Sequence, residues 1–234
     1  MSGGIDRCIG GWLKHSFIDF PRTVSAVLFF RGCNLRCPYC HNPELALGTT
    51  ETVFFEEILS HLRKRSGIIE GVVLSGGEPT LHSKALPAIV RELRSLGLAI
   101  KLDTNGLLPE MITTVAPDYC ALDLKTVPLR YHELGDVTRS GEHPLYRSLD
   151  IIRAMGSRGE VRITVAEPFV DEKAIGVFAE LLRGVEKVFL QPFKWSADLL
   201  DGHFGEQHAV PAETLKRYRD RLAETVLSCS IRGT

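Results

Sequence analysis

Short apolar runs recur along the chain with helical patterns between them, and this alternation constrains the fold more than any other feature. The runs are Val24–Phe30, Gly71–Leu74, Ala99–Asp103, Tyr119–Leu124, Glu160–Val165 and Lys187–Gln191. Several are rich in Val, Ile, Phe or Tyr, which suit pleated, buried segments. The stretches between them carry apolar residues at three- and four-residue spacing, as one face of a helix requires. Ile58, Leu59 and Leu62 mark one helix, and Ile89, Val90 and Leu93 a second. Leu149, Ile152 and Met155 mark a third, and Ile175, Phe178, Ala179 and Leu182 a fourth. Asp171 is expected as an N-cap and Gly97 and Gly184 as helix stops. A last helix is expected from Pro211 toward Ser228.

Strand–helix alternation implies parallel strands joined by right-handed crossovers. Six such units fall short of an eight-stranded barrel, so an open partial barrel and a doubly wound sheet both fit. In either, ligands bind at the carboxyl ends of the strands, and functional residues are expected there. No repeat or linker divides the 234 residues, which read as a single domain. It comprises an N-terminal extension (1–22), a core (about 23–194) and a C-terminal loop and helix (195–234). A chain of this length buries roughly 70–75% of its unfolded surface and needs no disulfide staples.

Lys and Arg number 28 against 29 acidic residues, a net charge of −1. That balance excludes the broad basic field of a nucleic-acid binder and a polybasic membrane anchor. Apolar runs such as Ala26–Phe30 are far shorter than the ~20 residues of a membrane span. Met1 to Lys14 lacks a signal-peptide pattern, so a cytoplasmic chain is expected.

Three of the six cysteines crowd into the stretch Arg31-Gly32-Cys33-Asn34-Leu35-Arg36-Cys37-Pro38-Tyr39-Cys40-His41-Asn42-Pro43. In a reducing compartment such clustering reads as metal binding or redox chemistry. Three thiolates on one short loop suit a soft metal or an iron–sulfur cluster. A four-iron cluster held by Cys33, Cys37 and Cys40 would leave one iron open to a substrate. The alternatives are a structural zinc with His41 as fourth ligand, and unligated thiols. Cys8, Cys120 and Cys229 stand alone and read as small buried side chains, so a single cluster is expected.

The strand ends carry further candidates. Ser75-Gly76-Gly77-Glu78-Pro79 offers two glycines that would let a ligand reach the backbone, and a carboxylate that can accept from an ammonium. Asp103-Thr104-Asn105-Gly106 and Asp123-Leu124-Lys125 close the next two strands. Clustered carboxylates need a cation or an ammonium beside them. Arg162 alternates with Val161 and Ile163, so its inward charge needs an anion, either a cofactor carboxylate or a core carboxylate. Gln191-Pro192-Phe193-Lys194 ends the sixth strand. The Asp198–Gln207 stretch, with Gly202 and Gly205, reads as a loop on the functional face that helps admit a partner.

The cysteine spacing, with Tyr39 before the third cysteine, resembles the signature of the radical S-adenosylmethionine superfamily. The resemblance implies a partial (β/α)6 TIM-like barrel with parallel strands and the site at their C-terminal ends. It implies one [4Fe-4S] cluster whose open iron is chelated by S-adenosylmethionine, and an electron that cleaves the sulfonium to a 5′-deoxyadenosyl radical. Gly76, Gly77 and Glu78 resemble the motif for the methionine amino group, and Tyr39 and His41 join the cofactor side. Asp103, Thr104 and Asp123 resemble the residues of activating enzymes that bind the cofactor and a monovalent cation. Lys125 and Arg162 would favour the cofactor carboxylate. Pyruvate formate-lyase activating enzymes carry a Pro-Tyr-His near the cofactor ribose where this chain has Phe193 and Lys194.

The block from Gly11 to Leu45 is similar to anaerobic ribonucleoside-triphosphate reductase activating proteins. That implies hydrogen abstraction from a glycine Cα of a large glycyl radical enzyme, with a flavodoxin- or ferredoxin-type reductant. Two rivals are set beside it. A 7-carboxy-7-deazaguanine synthase typically follows the third cysteine with Asp-Thr, where this chain has His41-Asn42. A non-catalytic metal-binding or electron-transfer module would have no need of Gly76–Glu78, Asp103 and Lys125 at strand ends.

Overall fold

The computed structural model describes residues 5–135 and 143–233. The chain divides into two compact units. The first takes Met1–Asn34, Glu44–Thr104 and Glu110–Cys120; the second takes Leu35–Pro43, Asn105–Pro109 and Ala121–Thr234.

Unit one holds β1 (Ile9–Ser16), β2 (Ser25–Phe30), nearly all of α1 (Pro43–Leu47), α2 (Phe55–Lys64), β3 (Gly71–Gly76), α3 (Ala85–Ser95) and β4 (Ala99–Thr104). It also holds most of α4 (Pro109–Val115) and the start of β5 (Tyr119–Asp123). β1 runs antiparallel to β2, while β2, β3 and β4 are parallel, with Phe30 opposite Gly76 and Leu74 opposite Leu102. The near-continuous apolar runs Ala26–Leu28 and Val72–Leu74 are buried on both faces, the pattern of parallel strands covered by helices. Phe20, Val27, Val73 and Tyr119 pack as one core cluster in this unit. Gly97 stops α3 as expected, at φ +78°.

Unit two holds the rest of β5, then α5 (Pro144–Met155), β6 (Gly159–Val165), α6 (Glu172–Leu181), β7 (Lys187–Pro192), α7 (Ala212–Ala223) and β8 (Ser228–Ile231). β6, β7 and β8 are parallel, with Ile163 opposite Leu190 and Val188 opposite Cys229. Asp171 caps α6, its carboxylate accepting from the Ala174 amide at 2.8 Å. Within each unit the strands follow chain order, and the residues of β5 are divided between the two.

All six expected strands occur, within a residue or two of their expected ends, in an α/β fold. Two more do not follow from the pattern. β1 mixes Gly10 and Gly11 with the exposed Leu13, Lys14 and His15, because as an edge strand it has β2 as its one partner. β8 has only four residues. The last helix therefore ends at Ala223, short of the expected Ser228, which instead begins β8. Among the described residues no helix is long and apolar enough to cross a membrane.

Candidate functional site

In unit one, the entrance of the cysteine loop is held from two sides. The Gly32 and Cys33 amides donate to the carbonyls of Leu45 and Ala46 at the end of α1, at 2.7 and 3.0 Å. From the other side, the Gly77 amide donates to Phe30 O and the Glu78 amide to Gly32 O, both at 2.8 Å. Gly76 sits at φ +111°, and a Cβ on Gly77 would come within 2.1 Å of Gly32 O. The two glycines thus serve a backbone-to-backbone approach that ties the Gly-Gly-Glu turn to the residues leading into Cys33. His82 adds a clasp, its Nε2–H donating to Arg31 O at 2.8 Å.

Glu78 is 1% exposed. Its Oε1 accepts from the Thr80 amide at 3.1 Å, the Thr80 hydroxyl at 2.6 Å and the Thr104 hydroxyl at 2.8 Å. Asp103 pairs with the buried ammonium of Lys101 and accepts from the Ser75 hydroxyl at 3.3 Å. Lys101 and Thr80 escaped sequence reasoning. The available signal for Lys101 was an ionisable residue between Ile100 and Leu102 in a strand whose neighbours are all buried.

In unit two, Cys37 is buried and Cys40 half-buried, and the Cys40 amide donates to Cys37 O at 3.0 Å to close a tight turn. Tyr39, inside that turn, is 4% exposed among the rings of Phe169, Phe193 and Phe204, with centroids 5.7–6.5 Å away. Its hydroxyl donates to Lys125 O at 3.3 Å, while the Lys125 amide donates to the Tyr131 hydroxyl at 3.0 Å. Burial, reinforced by the nearby Cys37, holds the Tyr39 hydroxyl well above the ordinary tyrosine range. Tyr131 was not singled out from the sequence.

Asp123 ends β5 between two cations. Arg162 Nε donates to its Oδ1 at 2.7 Å, and Lys125 Nζ lies 3.3 Å from Oδ2. Burial pushes the Asp123 carboxyl up, but Arg162 and Lys125 outweigh it and hold it well below the usual carboxylate range. Burial pushes Lys125 down, yet Asp123 and then Cys37 raise it above its ordinary value. Arg162 therefore meets the core carboxylate that was one of its two expected partners. Asp103 and Asp123 are each met by protein cations, Asp103 by Lys101 and Asp123 by Lys125 and Arg162.

His41 is exposed, and its Nε2–H donates to Lys194 O at 2.7 Å, since a carbonyl can only accept. That bond occupies Nε2, so the zinc alternative would have to use Nδ1 of His41. The Lys194 side chain is exposed. All six cysteines are free of disulfides. Among the described residues no three His, Cys, Asp or Glu side chains are gathered as a single-ion site.

A family model described as the Radical SAM superfamily matches residues 27–182. The chain belongs to this superfamily. The radical SAM enzyme is 30% identical over 237 residues to a protein of Methanocaldococcus jannaschii provisionally named a glycyl-radical enzyme activating enzyme, covering 97% of each chain. It is 29% identical over 187 residues to a 7-carboxy-7-deazaguanine synthase of Thermococcus kodakarensis, covering 70% of this chain and 72% of that one. Its fold is similar to a solved domain of a pyruvate-formate lyase-activating enzyme from Bacteroides vulgatus. The TM-score there is 0.52 at 22% identity, covering 70% of this chain and 99% of that domain. Radical SAM enzymes use a [4Fe-4S] cluster with S-adenosylmethionine, and the chemistry of the donors suits one: Cys33, Cys37 and Cys40 are all thiols free of disulfides.

Proposed function

We propose that this enzyme is an activase that generates a glycyl radical on a partner enzyme, with anaerobic ribonucleotide reductase as that partner. The observation that carries the reading is similarity over 97% of both chains to a relative provisionally named as such an activating enzyme. Cys33, Cys37 and Cys40 would hold the cluster as thiolates. When bound, the cluster and S-adenosylmethionine would supply, on reduction by a flavodoxin or ferredoxin, a 5′-deoxyadenosyl radical able to take a hydrogen atom from a glycine Cα.

The protein's part is to bind, orient and shield. Glu78 would accept from the methionine amino group, with Gly76 and Gly77 setting the turn that carries it. Lys125 and Arg162 would attract the methionine carboxylate while Asp123 holds both cations in place. Asp103 and Thr104 would also serve the cofactor, with a monovalent cation as a further guest. His41 and Lys194 would stand on the adenosine side. The rings around Tyr39 keep water from one side of the Cys37–Cys40 turn.

The test mixes reduced, reconstituted enzyme and S-adenosylmethionine with candidate glycyl radical enzymes and reads the glycyl signal by electron paramagnetic resonance. A signal with anaerobic ribonucleotide reductase is expected. Cofactor cleavage with no glycyl signal on any candidate would contradict the activase reading. The similarity to a 7-carboxy-7-deazaguanine synthase supports a second reading, a small-molecule radical enzyme. Formation of a 7-carboxy-7-deazaguanine product without a protein partner would favour it. His41-Asn42 after Cys40, in place of Asp-Thr, stands against it.

A further inference from the structure

The segment after β7 does something its sequence did not announce. It was expected as a loop that admits a partner, yet in unit two it is strapped onto the cysteine turn. The Leu200 amide donates to Cys40 O at 3.0 Å and the Asp201 amide to Pro38 O at 3.1 Å. Phe204 follows, 6% exposed, and its own amide donates back to Asp201 O at 3.0 Å. Its ring is edge-on to Phe193 at 5.2 Å, 5.8 Å from Tyr39, and stacked on His208 at 4.0 Å with 16° between planes. The far end of the strap is pinned in turn, because the Glu167 amide donates to His208 O at 2.9 Å and Ala166 bridges Ala209. The near end is held where His41 donates to Lys194 O.

A turn that presents two thiolates must be fixed by groups outside it, since its own single backbone bond leaves neighbouring carbonyls to exchange partners with water. Here two of those carbonyls, on Pro38 and Cys40, are occupied by the strap, and the ring of Phe204 is packed between the turn and the strap's far end. We propose that Phe204 is a positioning residue for the ligands Cys37 and Cys40: wedged between Tyr39 and His208, it keeps Leu200 and Asp201 seated on the turn that carries both thiolates. This rests on the reading of the cysteines as cluster ligands.

Supporting shells around metal ligands typically change metal retention by about 10- to 100-fold, and the lower end is expected for a residue acting through backbone. The experiment compares Phe204→Ala with Leu222→Ala, which removes an equally buried side chain from α7, away from the strap. Two readings are taken: iron loss from reconstituted protein to a chelator, and hydrogen exchange of the Leu200 and Asp201 amides in the apo-protein. Phe204→Ala should lose iron about 10-fold faster and exchange those amides faster, while Leu222→Ala changes neither. Iron loss unchanged in Phe204→Ala, or equally faster in Leu222→Ala, would overturn the proposal. Should Phe204→Ala not fold, Phe204→Leu, which keeps bulk but not the ring stack, is read by the same criteria. Cys40→Ala separates the two claims. A full cluster in that variant sinks the ligand reading itself, whereas loss there with a normal Phe204→Ala sinks only the role of Phe204.

Discussion

Thr104 donates its hydroxyl to Glu78 Oε1 at 2.8 Å, tying the end of β4 to the turn after β3. Glu78 is buried, and the same oxygen already takes two donors from Thr80. Thr104→Val keeps the shape and removes the donor. It should cost about 1 kcal/mol in urea unfolding, the net worth of a typical internal hydrogen bond. In reconstituted enzyme it should also weaken S-adenosylmethionine binding, measured by anaerobic calorimetry. Lost stability with unchanged affinity would confine Thr104 to holding the fold.

The Arg162–Asp123–Lys125 group gives a second expectation. The Arg162 and Asp123 side chains are 15% and 25% exposed, and Lys125, 3.3 Å from the same carboxylate, is a second cation that would still partner it if Arg162 were lost. Arg162→Met should therefore destabilise by about 2 kcal/mol, less than the 3–5 kcal/mol typical of breaking a fully buried pair. Adding Asp123→Leu should return part of that loss, because the stranded carboxylate is then gone. A double variant less stable than the sum of the singles would contradict this account of the group.

The strands were legible because Ala26–Leu28 and Val72–Leu74 are buried on both faces, which leaves an apolar run in the sequence. Edge position erases that mark, which is why β1 and β8 were not read. At the site, local spacing revealed the cysteine loop, Glu78 and the strand-end aspartates. It could not reveal partners distant in sequence: Lys101 was silent as the mate of Asp103, and so was Phe204 as the neighbour of Tyr39. Gly76 and Gly77 were legible as special positions, but the neighbour that requires them is the backbone of Phe30 and Gly32.

His82 supplies a pH dependence. Burial lowers its pKa, opposed by the bond its ring makes to Arg31 O. A histidine with a lowered native pKa is favoured neutral in the fold, so the unfolded chain binds more protons as the solution acidifies. Its contribution is present above the ordinary histidine value of about 6.5 and is lost as pH falls through the lowered native value. Urea unfolding of native protein and His82→Gln, repeated from about pH 8 to about pH 5, should show the native protein losing its relative advantage toward acid. A constant difference across that range would remove His82 from the acid response.

The central claim is that Cys33, Cys37 and Cys40 hold a four-iron cluster with one iron left for S-adenosylmethionine. Cys8, Cys120 and Cys229 are expected to stay outside that cluster, and burial pushes the Cys229 thiol up to about 11. The most direct measurement is electron–nuclear double resonance on the reduced, reconstituted protein with S-adenosylmethionine labelled in its methionine nitrogen and carboxylate. The account predicts hyperfine coupling from both labels to a single cluster, lost in Cys33→Ala, Cys37→Ala and Cys40→Ala. A cluster or ion that shows no coupling to either label and leaves S-adenosylmethionine uncleaved would contradict it.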